Sequence, residues 1–417
     1  FEDLPSPEKD PLNLPESLFM FVDSMLVFDH VTHKIKVLSH VHLDGDIETA
    51  YREAAGRIEN LVQRLSQPLP PVQQNRSNPP AVNSNQLSSN FSREEFEASV
   101  LKIKRYITEG EVTPAQLGAF LTALRLKGET VDEIVGLAKT MRAKAIPVTV
   151  AEPVVDTCGT GGDGSATFNI STAAAFVVAG SDLKVAKHGN RAMSSQCGSA
   201  DVLEALGVRI DLGAEQVQRC LEEVGMGFMF APSFHPAMKY AAAPRHEIGI
   251  RTVFNILGPL SSPAGAKAQV LGVADESLVE KLTSVLQGLG CHHALVVHGE
   301  DGLDEITITG KTQVGELKDG SIKSYSISPE DFGLPRANLG SLKGGPIAEN
   351  AARLREILAG SAGPPRDVVL MNAAATLLAG DRVKTLGQGV ALAGEVIDSG
   401  RALKKLEQLI EFSQSSS

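Results

Sequence analysis

From residue 153 the chain alternates short apolar runs with stretches of helical period. The runs are VVDTCG, KVAKHG, GMGFMFAP, AQVLGVAD and HALVVHG, and residues 170–180, 196–206, 236–248 and 277–289 fall between them. Strand-length apolar runs that take turns with helices predict a mostly parallel sheet with helices packed against it. Residues 305–327, EITITGKTQVGELKDGSIKSYSI, alternate every second position and carry Asp-Gly where a turn is needed, so antiparallel strands are expected there. From residue 347 the pattern is helical.

Before residue 153 the pattern breaks into pieces. Residues 17–30 (SLFMFVDSMLVFDH) and 34–43 (KIKVLSHVHL) are rich in β-branched and aromatic residues around the polar VTHK, which predicts a hairpin. Residues 46–66 follow as one amphipathic helix, and 67–92 is Pro, Asn, Gln and Ser with few apolar side chains, the composition of a disordered linker. Ser92 with Glu95 makes a capping-box pattern before a helix face of Phe96, Val100, Ile103 and Ile107. Helical period continues through PAQLGAFLTALRLKG and VDEIVGLAKTMRAKA. The expected architecture is α/β: a hairpin and helix over 1–66, the linker over 67–92, a small helical domain over 93–150 with a returning segment near 234–250, and an α/β domain over 151–417 built on a mixed, mostly parallel sheet.

At 417 residues and 42% hydrophobic, the chain can fill two or three cores at roughly 100–200 residues per domain. No run approaches ~18 uninterrupted apolar residues, and FEDLPSPEKDP lacks the basic and apolar regions of an export signal, so a cytoplasmic protein is expected. The scattered Cys158, Cys197, Cys220 and Cys291 suit a reducing compartment. A net charge of −11 opposes nonspecific nucleic-acid binding, so a polyanionic ligand must be met by a local basic cluster such as KVAKHGNR (184–191) or by a metal.

The densest candidate chemistry is DTCGTGGDGSATFNIST, residues 156–172. Its GTGGDG (159–164) fits G-x-G-x-x-G after a strand, and Asp182 lies 18 residues beyond Gly164, so a dinucleotide site is one reading. A Walker-type loop is excluded, since no Gly-Lys-Ser/Thr follows. Glycines at a strand-to-helix turn let backbone N–H groups face an anion, helped by the helix dipole. Asp163 would repel a bare diphosphate but tolerates a metal-chelated one. A second such turn, KHGNRAMSSQCGSADVLEALG (187–207), gathers Lys187, His188, Asn190 and Arg191 at a strand's carboxyl end, where open α/β sheets bind ligands. In HGEDGLDEITITG (298–310), Asp304 and Glu305 are adjacent hard-oxygen ligands suited to Mg²⁺. In APRHEIGIRTVFNILGPL, Arg245 and Arg251 are expected on one helix, as a fork for a planar carboxylate. Each stretch also has a plainer reading, as a structural turn, a hydrogen-bonded loop histidine, a solvated acid pair or a surface ion pair.

Taken together and in this order, DTCGTGGDGSATFNIST, KHGNRAMSSQCGSADVLEALG, FMFAPSFHPAM, GIRTVFNILGPLSSP and GLDEIT resemble the anthranilate phosphoribosyltransferase family, from about Val112 to the C-terminus. The resemblance implies that Gly159, Gly162, Asp163 and Thr167 line a phosphoribosyl diphosphate pocket. It implies that Asn169, Ser171, Thr172, Lys187 and Ser199 hold phosphate groups, and that Gly159, His188, Asn190 and Arg245 receive anthranilate. Two Mg²⁺ ions are implied, one on Ser171 and one on Asp304 with Glu305, as is a homodimer formed through the helical domain. The implied reaction moves phosphoribose from 5-phosphoribosyl 1-diphosphate to the amine of anthranilate. A related phosphoribosyltransferase or nucleoside phosphorylase with another aromatic acceptor, or an inactive fusion product, are the alternatives. No nucleic-acid or membrane partner is expected.

Residues 1–110 resemble instead anthranilate synthase component I, in ESLFMFVDSMLVFDHVTHKIKVLSHVHL and SREEFEASVLKIKRYITEGE, and the likeness stops before that family's chorismate-binding part. The hairpin histidines His30, His33, His40 and His42 lack a carboxylate or thiol to complete a metal set.

Overall fold

The computed structural model describes residues 24–29, 34–39, 46–65, 113–192 and 197–415, and the chain divides into a unit of residues 1–89 and a unit of 90–417. In the first, strands β1 (Ser24–Asp29) and β2 (Lys34–Ser39) pair antiparallel, with Ser24 opposite Ser39 and Asp29 opposite Lys34. Helix Ile47–Leu65 packs on β2, and Arg57 Nε donates to Ser39 Oγ at 2.9 Å. The expected hairpin and helix are thus present. The linker at 67–92, the helix face from Phe96 to Ile107 and the four hairpin histidines lie outside the described residues.

The second unit is built on a seven-stranded sheet in the order β5-β4-β3-β6-β7-β8-β9. These strands are β3 (Val155–Gly159), β4 (Val185–Gly189), β5 (Met226–Phe230), β6 (Ala268–Gly272), β7 (His293–Gly299), β8 (Thr312–Lys318) and β9 (Ser321–Ile327). β3 to β7 run parallel and β8 and β9 antiparallel, which matches the mixed, mostly parallel sheet expected. The antiparallel pair starts at Thr312 rather than at residue 305. The stretch before it is a turn tied by Asp301, whose carboxylate accepts from the hydroxyls of Thr307 and Thr309 at 2.6 Å each. Asp319 and Gly320, both at positive φ (47° and 80°), make the tight turn from β8 to β9 that Asp-Gly predicts.

Successive strand residues feed opposite faces. Val155, Val185, Val270, Leu295 and Val297 join one core with helices Ile170–Ala179, Ile347–Leu358, Pro364–Ala379 and Arg401–Ser415. Leu271, Ala294 and Val296 join the other with helices Pro114–Lys127, Val131–Lys144 and Leu278–Gly288. Helix Ile170–Ala179 is buried along nearly its whole length because Ala173, Ala174, Ala175, Val177 and Val178 leave room for neighbours on every side. Helices Pro114–Lys127 and Val131–Lys144 each open on a capping box, Thr113 with Gln116 and Thr130 with Glu133. The returning helix Lys239–Ile248 packs on Pro114–Lys127, which places the segment expected near 234–250 against the helical part.

Candidate active site

The chain lays β4 and β5 to one side of β3, then crosses to place β6 and β7 on the other. The gap between β3 and β6 is therefore the sheet's topological switch point, where a crevice opens outside the carboxyl ends of the strands. Both strands end there in glycine, and Gly159 and Gly272 are register partners. A Cβ on either would strike Asp304, on its carboxyl group at Gly159 and on its backbone at Gly272. The bare strand ends thus admit the acidic turn that follows β7, and Thr160 N–H donates to the Gly272 carbonyl at 2.9 Å.

The loop then turns through Gly161, Gly162 and Gly164, at φ of 68°, 76° and 71°, and the helix starts only at Ile170. A dinucleotide fingerprint would open its helix within the glycines. Asp182, the acid such a reading needs, lies before β4, at the amino edge of the sheet opposite the loop. The dinucleotide alternative is therefore overturned.

Asp304 is bonded to the loop and Glu305 to the first turn of the helix. Asp304 Oδ2 accepts from Gly161 N–H at 2.7 Å and Glu305 Oε1 from Ser171 N–H at 3.2 Å. Burial, then repulsion from Asp163 on Asp304 and from Asp304 on Glu305, holds both carboxyls above their ordinary range. Such a pair, of hard oxygens carrying surplus buried charge, fits Mg²⁺. Among the described residues no cluster of three or more His, Cys, Asp or Glu could hold a metal, so the ion would draw its remaining oxygens from a ligand or water. Lys187, 2% exposed, donates to the Thr157 carbonyl at 2.6 Å and to Ser171 Oγ at 3.3 Å. Asp163 is engaged by Ser165, whose N–H and hydroxyl donate to it at 3.2 and 2.5 Å.

Beside this lies a more apolar cavity of about 510 Å³, lined mostly by residues 231–261 with Met141, Cys158, Gly159 and His188–Asn190. Arg245 stacks over the Phe254 ring, Cζ 5.2 Å from its centroid. His188 and His235 face each other with ring centroids 4.9 Å apart. Burial pushes His188 down to about 3 and His235 to about 4, so both rings are neutral, and each keeps a buried Nε2 without a hydrogen-bond partner.

Two family models match this chain: the helical bundle domain of the glycosyl transferase family over residues 90–145 and its a/b domain over residues 151–403. The anthranilate phosphoribosyltransferase of Moorella thermoacetica is 59% identical over 320 residues, 76% of this chain and 94% of that protein. The chain belongs to the anthranilate phosphoribosyltransferase family. It is thus a pentosyltransferase of tryptophan biosynthesis, transferring phosphoribose to anthranilate. The anthranilate phosphoribosyltransferase of Thermus thermophilus has a similar structure, with a TM-score of 0.73 at 46% identity, covering 76% of this chain and 96% of that one. That of Saccharomyces cerevisiae in complex with PRPP and Mg gives 0.70 at 31% identity, covering 78% and 94%. The yeast enzyme with 4-fluoroanthranilate gives 0.69 at 30%, with the same coverage.

Every residue that resemblance to the anthranilate phosphoribosyltransferases singled out borders one cavity of about 360 Å³: Gly159, Gly162, Asp163, Thr167, Asn169, Ser171, Thr172, Lys187, His188, Asn190, Ser199, Arg245, Asp304 and Glu305. Asn169 Oδ1 and Thr172 Oγ1 are buried there without a partner. The expected arginine fork is not on one helix, because Gly249, at φ 66°, ends Lys239–Ile248 before Arg251. The family's helical-bundle model begins at residue 90, so residues 94–109 are matched by the transferase's own domain rather than by a synthase fragment. Sequence reasoning missed Asn372, which is fully buried. Its Oδ1 accepts from Ile306 N–H at 2.9 Å and its Nδ2 donates to the Ile306 and Val368 carbonyls at 2.9 Å each, clamping the backbone next to Glu305. A lone amide in VVLMNAAATLLA, a helix buried along its length, was the available signal.

Proposed function

We propose that the 360 Å³ cavity takes 5-phosphoribosyl 1-diphosphate with two Mg²⁺ ions, and the 510 Å³ cavity anthranilate. Gly159, Gly162, Asp163 and Thr167 line the sugar diphosphate, and Asn169, Ser171, Thr172, Lys187 and Ser199 take phosphate groups. Ser171 holds one ion and Asp304 with Glu305 the other. Arg245 pairs with the anthranilate carboxylate, with Gly159, His188 and Asn190 around the ring. The observation that carries this reading is the buried acid pair hydrogen-bonded to the glycine loop and the helix after it, next to an apolar cavity holding an arginine with no carboxylate partner among the described residues. The yeast complexes, with PRPP and Mg and with 4-fluoroanthranilate, support it.

Cleavage of the C1–diphosphate bond leaves an oxocarbenium-like sugar, as in glycoside cleavage. Mg²⁺, when bound, neutralises the departing diphosphate. The loop N–H groups and the dipole of helix Ile170–Ala179 face the same developing charge. Arg245 fixes the aryl amine in line with C1, so attack on the opposite face is close to unimolecular. The unpartnered Nε2 atoms of the neutral His188 and His235 offer acceptors to amine N–H bonds.

We further propose that the domains divide at 66, 92 and 150 and that residues 1–66 are a fragment resembling anthranilate synthase component I without synthase activity. Two copies would pair through the helical domain, where Ala115, Ala119, Ala123 and Leu126 expose an apolar face, in a cytoplasmic enzyme with free Cys158, Cys197, Cys220 and Cys291. Fluorescence loss of anthranilate with phosphoribosyl diphosphate and Mg²⁺ tests the assignment of the cavities. Turnover that Arg245 and Asp304 variants impair selectively, each toward its own substrate, supports it, and turnover indifferent to both overturns it.

A further inference from the structure

Four cationic side chains border the sugar-diphosphate cavity: Lys187, Arg191, Arg245 and Arg251. Lys187 already donates to Thr157 and Ser171, which leaves one of its three N–H bonds for a phosphate, and Arg191 is held by Asp201 at 3.0 Å and Glu204 at 2.8 Å. Arg245 lies over Phe254 and also borders the acceptor cavity. Arg251 is exposed and makes no hydrogen bond or ion pair among the described residues, and it borders only the first of the two cavities. Yet its position is fixed. Gly249 ends the preceding helix, and the next residue, Thr252, is pinned by its N–H to Asn255 Oδ1 at 2.9 Å. The guanidinium lies against the Gly162 backbone, where a Cβ would overlap it. The neighbouring Gly161 N–H is bonded to Asp304 Oδ2 at 2.7 Å, so guanidinium and carboxylate meet the same loop.

An arginine with an uncommitted fork, held on a glycine of an anion-binding loop and beside an acid that fits a metal, has the geometry for bidentate phosphate recognition. We infer that Arg251 is a diphosphate-binding residue: its guanidinium donates to the diphosphate oxygens at the glycine loop, and Gly162 is bare so that it can lie there. The inference rests on the reading that this cavity takes the sugar diphosphate, and it separates the two arginines, with Arg245 serving the acceptor and Arg251 the leaving group.

Calorimetric titration of the full-length chain with Mg²⁺ and inorganic pyrophosphate, and separately with ribose 5-phosphate, tests it without turnover. Arg251→Gln should weaken pyrophosphate binding by about tenfold or more while leaving ribose 5-phosphate unchanged, and Arg251→Lys should recover part of the loss. Because the side chain has no protein partner among the described residues, neither change removes a contact that the fold uses. Unchanged pyrophosphate affinity in Arg251→Gln, or equal losses for both probes, overturns the inference while the cavity assignment stands. Failure of the unmodified chain to bind either probe sinks the cavity assignment and the inference together.

Discussion

Replacing Arg245 by lysine tests whether one guanidinium recognises the acceptor. Arg245 is half-buried on helix Lys239–Ile248, 5.2 Å over the Phe254 ring, and no carboxylate among the described residues pairs with it. Burial lowers its pKa, but guanidinium remains charged at any working pH. It is therefore a cation already stripped of part of its water, and a planar carboxylate that reaches it makes two parallel charge-assisted bonds. Lysine keeps the charge and loses the fork. One such bond is worth about 1.5–3 kcal/mol, and at about 1.4 kcal/mol per decade the KM for anthranilate should rise by roughly 10- to 150-fold. The KM for phosphoribosyl diphosphate should stay where it was. Initial rates by anthranilate fluorescence, varying each substrate at saturating levels of the other, separate the two. Equal rises in both KM values, or a lower kcat with both unchanged, would refute the assignment of Arg245 to the carboxylate.

Asn372→Ala should leave the N–H and carbonyl of Ile306 unpaired in a dry core, at a cost of about 1–3 kcal/mol for each group, seen as a lower denaturant midpoint. The Mg²⁺ concentration needed for half-maximal rate should rise with it, and destabilisation without that rise would mean that the clamp does not position Glu305. Asp156 is fully buried, and burial lifts it to about 6 from an ordinary 3.8 despite Lys187 and the backbone N–H groups of His188 and Thr157. Its folded-state pKa is raised, so the stability tied to its proton is full below about 3.8 and lost as pH climbs through 6, roughly 3 kcal/mol in all. Asp156→Asn should therefore stabilise the protein at pH 8 but not at pH 4, and parallel urea-midpoint curves for the two proteins would contradict this. Gly272→Ala should force Asp304 out of place and raise the KM for the metal-bound diphosphate, although Gly272 borders neither cavity. A chain starting at residue 90 should retain kcat and both KM values, because both family models lie between 90 and 403, and its steady-state kinetics check this.

The parallel strands were legible because each is a short apolar run bounded by glycine or a charge, β8 and β9 by their alternation, and the turn between them because Asp319-Gly320 is the pair that a left-handed turn needs. The glycine loop was legible as a loop, but its purpose was only half visible. Gly159 and Gly272 are bare for the sake of Asp304, contacts across 145 and 32 residues of sequence that no local pattern encodes. The helical stretch read at 170–180 is the helix Ile170–Ala179, and Gly164 and Ala166, both at positive φ, hold off helical geometry until Ile170. Arg245 and Arg251 were expected on one helix because their spacing was read without weighing Gly249 as a stop. Asn372 and His235 went unassigned because a single polar residue in an apolar stretch has no sequence partner to declare its role.

The acceptor cavity draws most of its wall from one continuous stretch, 231–261, while the opposite half of the cleft is assembled from strand ends far apart along the chain. On the proposed assignment, exchanging that stretch for a homologous one would change which nucleophile is admitted, and because it also carries Arg245, Arg251, Phe254, Asn255, Gly258 and Pro259 it would reshape one wall of the activated sugar's berth as well. Acceptor choice and grip on the sugar diphosphate would then vary together within some thirty neighbouring codons.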